Sequence, residues 1–136
     1  MTEKRFEELG EGEIVRCSHE ISAEEEDAFI KLSGDMNPLH IDEDFAQSNG
    51  FDGRLAHGLL ISSLLLRTFG MVSGCPGFLC LSQTTRFLKP VYIGDRIELI
   101  AKVVQKSESL RVLVLETTVF NQKREKVLTG EAKVMM

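Results

Sequence analysis

The amino-acid sequence predicts an α+β fold in which one antiparallel sheet curls around a single long, buried helix. Three observations lead to it. Beyond a first strand signal, apolar residues recur at helical spacing as far as Gly74, and after Gly77 the period becomes that of strands. The longest apolar run, Leu55 to Val72, contains His57, Gly58, Arg67 and Gly70, which suits a helix inside a protein better than one inside a bilayer. The strand-like half is cut by short turn signals that fit antiparallel hairpins.

Each element has its own warrant. Residues 14–21, "IVRCSHEI", set Val15, Cys17, His19 and Ile21 against Ile14, Arg16, Ser18 and Glu20, as a strand does. Ser22 and Glu25 form an S-x-x-E capping box, which starts a helix with Ala28, Phe29 and Leu32 on one face and Gly34 as its stop. The acidic run Glu24–Asp27 is expected on the solvated face. Asp42 caps a short helix over 42–49, with Phe45 and Ala46 inward and Gly50 as stop. The buried helix begins at His57 and ends at Gly74, Pro76 and Gly77. Four strands follow, divided at Pro90, Gly94-Asp95, Ser107–Ser109 and Asn121–Lys123; Lys123–Lys126 reads as a hairpin turn. In one strand Ile97, Leu99, Ala101 and Val103 share a face. Residues 110–120 are apolar on both faces, as in a central strand. A sheet of this kind leaves edge strands open, so pairing with a second copy is expected.

With 136 residues, 1–136 reads as one domain able to bury its own core. A net charge of −5 argues against a nucleic-acid partner, which would call for a basic face. Three cysteines, Cys17, Cys75 and Cys80, without a CxxC, suit reduced thiols rather than disulfides or zinc. The N-terminus shows no apolar leader, and the expected location is the cytoplasm without membrane attachment.

The chemistry concentrates in two places. "SGDMNPLH", residues 33–40, sets Asp35 and His40 five positions apart across Asn37-Pro38. Asp, Asn, Gly and Pro also build ordinary turns. Pro38, however, fixes its own φ and pushes Asn37 towards an extended conformation, so the loop is stiff, and a carboxylate beside an imidazole can hold a water and divide acid and base roles. The second place is His57-Gly58. The imidazole can be a core histidine, but the free N–H groups at a helix start also stabilise a carbonyl oxygen that gains charge. No HExxH, GxSxG, GxGxxG or GxxxxGK[ST] is present, so zinc, serine-nucleophile, dinucleotide and P-loop chemistry have no support; Ser62 and Ser63 read as helix packing rather than nucleophiles.

"FIKLSGDMNPLHIDEDFAQSNGFDGRLAHGLL", residues 29–60, resembles the signature of the MaoC-like (R)-specific enoyl-CoA hydratases, small proteins of the hot-dog fold, and "RFLKPVYIGDRIEL", residues 86–99, resembles the strand that follows. The resemblance implies reversible syn addition of water to a trans-2-enoyl-CoA, giving an (R)-3-hydroxyacyl-CoA in fatty acid metabolism, with neither metal nor cofactor. It implies Asp35 and His40 as the catalytic pair and the Gly58 N–H as oxyanion donor. Asn37 would hold the loop, and His57, Leu59, Ser62, Leu66 and Phe78 would border the substrate, the last pair favouring short or medium chains. Arg54, Arg86 and Lys89 are the cations nominated for coenzyme A. A homodimer or higher oligomer is expected, and an acyl carrier protein can replace coenzyme A. A hot-dog thioesterase and a non-catalytic acyl-CoA-binding protein are the rivals. The former generally uses a carboxylate on the central helix, where Leu55–Gly74 has none.

Overall fold

The computed structural model describes residues 6–75 and 77–136; residues 1–5 and Pro76 lie outside them. Strand β1 (Ile14–Glu20) leads into helix α1 (Ala23–Ser33), the single turn α2 (Pro38–Ile41), the short α3 (Glu43–Ser48) and the central α4 (Gly58–Arg67), which runs on as a π-helical turn, Thr68–Val72. Strands β2 (Leu79–Phe87), β3 (Arg96–Ser107), β4 (Val112–Phe120) and β5 (Lys126–Met135) complete one sheet of order β1-β3-β4-β5-β2, in which all neighbours are antiparallel.

The alternation expected of residues 96–104 is the alternation of burial. The strand within 110–120, expected to be covered on both faces, is central but buried on one face only; its other face is half-buried to exposed, and Leu110 lies outside it. Ile97, Leu99, Ala101 and Val103 face inward from β3, as Leu113, Leu115, Thr117 and Val119 do from the central β4. Helix α4 lies in the concave face of the sheet and packs Ile61, Leu64 and Leu65 against Ile97, Leu99, Val119 and Leu128. The π turn continues the core with Phe69, beside Phe6, Leu113 and Val134. The helix is not enclosed on every side: Leu59, Ser63 and Arg67, four residues apart, form an exposed stripe. Among the described residues no helix is long and apolar enough to cross a membrane.

The capping box forms as the sequence requires. Ser22 Oγ accepts from the Glu25 N–H and Glu25 Oε1 from the Ser22 N–H, each at 3.1 Å. The helix ends at Gly34, whose φ of 73° closes a bond to the Ile30 carbonyl. Its inward face differs from expectation. Ala28 and Leu32 are exposed, whereas Glu26, placed on the solvated face by its acidic neighbours, is wholly buried. The inward stripe is Glu26, Phe29 and Ile30, because α1 leans on the start of α4 rather than on the sheet. Phe45 also stays 40% exposed, while Ala46 alone is buried from α3. The loop before α3 contains a turn of helix not foreseen: Asn37 caps it and Pro38 occupies its first position, where the missing N–H has no acceptor to lose.

Candidate active site

Two chain segments build the site, and both are stiff for local reasons. In the first, Asp35 Oδ1 accepts from the Asn37 N–H at 3.1 Å, and Asn37 Oδ1 accepts from the Leu39 N–H at 3.0 Å. The second, 54–58, crosses it and is tied to it three times. Arg54 Nε donates to the His40 carbonyl at 2.8 Å, the Leu55 N–H donates to the Leu39 carbonyl at 3.0 Å, and His40 Nδ1 meets the Leu55 carbonyl at 2.7 Å. A carbonyl only accepts, so that last bond puts a proton on Nδ1 and leaves Nε2 of the neutral ring as an acceptor.

His57 joins the segments. Its ring stacks on that of His40, with centroids 3.6 Å apart at 21°, and meets Phe29 at 4.9 Å. Its Nε2 lies 2.9 Å from Asp35 Oδ2, and its Nδ1 lies 2.9 Å from Oε2 of the buried Glu26. The Asp35 carboxyl is held below the usual carboxylate range, first by the Asn37 N–H and then by the His57 hydrogen bond.

Gly58 opens α4, and its amide belongs to the first turn, where N–H groups have no acceptor within the helix. A Cβ at this position would lie 2.4 Å from the Phe87 ring, so the ring approaches this closely because the residue is glycine. Asp35, His40, His57, Gly58, Leu59 and Phe87 all border one cavity of about 470 Å³, whose remaining walls are mostly apolar. A larger polar groove of about 650 Å³ lies beyond Lys89 and Pro90, which border both spaces.

Glu26, His40 and His57 bring donor atoms within 4.8 Å of one another, a spacing that raises the question of a metal ion. The donor geometry answers it. Stacked imidazoles direct their lone pairs along nearly parallel planes rather than to a common centre, and His57 turns both nitrogens to carboxylates. Glu26, His57 and Asp35 form a hydrogen-bond chain, and His40 stacks on its middle member.

A family model described as MaoC like domain matches residues 8–124. The chain belongs to the MaoC-like family. It is 34% identical to an (R)-specific enoyl-CoA hydratase of Aeromonas caviae, over 92% of this chain and 93% of that one. It is 33% identical to a mitochondrial 3-hydroxyacyl-[acyl-carrier-protein] dehydratase of Arabidopsis thaliana, over 92% of this chain and 76% of the relative. A solved structure described as an (R)-hydratase from A. caviae involved in PHA biosynthesis superposes with a TM-score of 0.90, covering 95% of this chain and 98% of the other at 34% identity. These matches establish the hot-dog fold that the MaoC-like signature implied.

The residues nominated from sequence fall into two groups. Asp35, His40, His57, Gly58 and Leu59 come together at the cavity, and Asn37 braces its loop. Ser62 is buried with its hydroxyl on Thr85, and Leu66 and Phe78 pack against the Phe6–Phe69 core, so these three do not border this MaoC-like cavity. Apolarity marked Leu66 and Phe78 as interior without telling which part of the core they occupy. Arg54 is spent on the His40 carbonyl and on Asp27. Arg86 lines a separate shallow depression with Thr84 and Thr129, whereas Lys89 stands at the cavity wall, paired with Glu125. Two residues were missed, Glu26 and Phe87. The signal for Glu26 was its spacing of three and four from Phe29 and Ile30.

Proposed function

We propose that this protein is an (R)-specific enoyl-thioester hydratase, equally a 3-hydroxyacyl-thioester dehydratase. The observation that carries the reading is the convergence of Asp35, His40 and the amide end of α4 on one apolar-walled cavity. A trans-2-enoyl thioester enters with its carbonyl oxygen at the Gly58 N–H and carbon 3 beneath the Asp35–His40 pair. The two acceptors, an Asp35 oxygen and His40 Nε2, orient one water through its two O–H bonds and leave an oxygen lone pair aimed at carbon 3.

As the C3–O bond forms, one member of the pair takes the water's proton. The π electrons move through carbon 2 to the carbonyl oxygen, where the α4 amide stabilises the negative charge. The enolate then collapses and carbon 2 takes the proton back from the same pair, so both additions occur on one face. Water is consumed, one hydroxyl and one hydrogen are added, and the pair ends as it began. General acid–base assistance and an oxyanion donor contribute about 10²–10⁴ and 10²–10³ respectively.

The carrier portion, coenzyme A or acyl carrier protein, leaves past Lys89, the cation that borders both the cavity and the outer groove. A homodimer working in the cytoplasm completes the proposal. Pairing is supported by edge strand β2, which exposes Leu79 and Leu81, and by Leu59 at the cavity, which is 65% exposed.

The test is the loss of conjugated enoyl absorbance on crotonyl-CoA, with the product's configuration determined on a chiral column. Asp35→Asn and His40→Ala should each lower turnover by about 10² or more while the protein stays folded. Appearance of free thiol without hydration would assign a thioesterase instead. Tight binding of crotonyl-CoA without turnover would assign a binding protein.

A further inference from the structure

Among the described residues Glu26 is the only buried carboxylate, and nothing in the reaction above uses it. A carboxylate taken out of water is costly unless it is paired. Glu26 spends both oxygens on one residue: Oε1 accepts from the His57 backbone N–H at 2.5 Å, and Oε2 lies 2.9 Å from Nδ1 of the same ring. The ring's other nitrogen meets Asp35 Oδ2. A backbone grip combined with a ring grip fixes where His57 sits and how its plane is turned. We propose that Glu26 is a positioning residue, which acts from outside the cavity by holding His57 as the hydrogen-bond donor to Asp35 and thereby aims the carboxylate at the reacting water.

Of the other acidic side chains of α1, Glu24 is exposed, Glu25 closes the capping box and meets His19, and Asp27 pairs with Arg54. The chain Glu26–His57–Asp35 has carboxylates at both ends, so the ring donates from both nitrogens when both ends are ionised. A glutamine at position 26 preserves the arrangement differently. Its carbonyl accepts the backbone N–H, its amide donates to Nδ1, and Nε2–H still reaches Asp35. A leucine there fills similar volume but releases the ring and leaves the buried His57 N–H and Nδ1 without their acceptor. A lower Tm is therefore expected with it, and the glutamine variant carries the comparison if the leucine one does not fold.

The proposal rests on the hydratase reading, and its test separates the two. Glu26→Gln and Glu26→Leu are compared with wild type for kcat and KM on crotonyl-CoA, for thermal unfolding, and for the ¹⁵N and ¹H resonances of the His57 ring. We expect Glu26→Leu to lose on the order of 10- to 100-fold in kcat with KM little changed, and to lose the bonded Nε2–H resonance. Glu26→Gln should keep that resonance and most of kcat. A folded Glu26→Leu protein with wild-type kcat and an intact Nε2–H resonance overturns the proposal. So does a glutamine variant as impaired as the leucine one. If wild type hydrates no enoyl thioester, the hydratase reading fails by itself, and the resonances alone decide whether Glu26 holds His57 onto Asp35.

Discussion

Replacing Gly58 by alanine tests the site where its geometry is tightest. The added Cβ would lie 2.4, 2.7 and 2.8 Å from three carbons of the Phe87 ring, the nearest about 1 Å short of the 3.4 Å at which ordinary contact begins. Phe87 is 53% exposed, so the ring can swing aside, and the stability cost belongs at the low end of overpacking, about 1–2 kcal/mol or a few degrees in Tm. The effect on activity should be far larger. Phe87 and Gly58 border the same cavity, so a methyl group and a displaced ring both occupy the approach to the first amide of α4. Loss of that donor costs about 10²–10³ in kcat/KM. The assay is steady-state hydration of crotonyl-CoA by Gly58→Ala, Phe87→Leu and the double variant, each with a thermal melt. The double variant should regain part of the stability, because the two nearest ring atoms, Cε1 and Cζ, are gone, but not activity, because the methyl still covers the amide. A folded Gly58→Ala enzyme with unimpaired kcat/KM would refute the placement of the thioester at this helix end.

Three further outcomes are expected. Gly130→Ala places a Cβ 2.1 Å from the Thr84 carbonyl oxygen, a main-chain atom with nowhere to go, so β2 must separate locally from β5; the expected cost is about 3 kcal/mol or more, read by urea unfolding. Burial raises the Glu25 carboxyl, but the Ser22 N–H, the bond to His19 and the Ser22 hydroxyl outweigh it and hold it below its ordinary value. Its folded value being the lower one, Glu25 contributes stability that is complete above the unfolded value near about 4.3 and is lost as pH falls through the folded one. The stability difference between wild type and Glu25→Gln should therefore shrink on acidification below about pH 4, as followed by denaturant melts at several pH values. Leu81→Lys on the edge strand should shift light-scattering mass from dimer towards monomer, and an unchanged dimer would place the interface elsewhere.

Local order was legible in the residue pattern because it depends on groups a few positions apart. The Ser22–Glu25 box, the Gly34 stop, the Asp42 cap and the inward rows of β3 and β4 are each complete within a turn of helix or a stretch of strand. The stiff D-x-N-P-x-H loop and the A-H-G entry to α4 could be singled out for the same reason. What the sequence could not determine is which of these separated pieces meet. Glu26 and His57 stand 31 positions apart and Asp35 and His57 22, and only the packing of α1 across the start of α4 brings them within hydrogen-bond reach. That packing turned one glutamate of an acidic run inward, carried Phe87 over Gly58, and sent Leu66 and Phe78 to the opposite end of the core. Periodicity shows that a side chain is interior, and the angle between elements decides what it touches there.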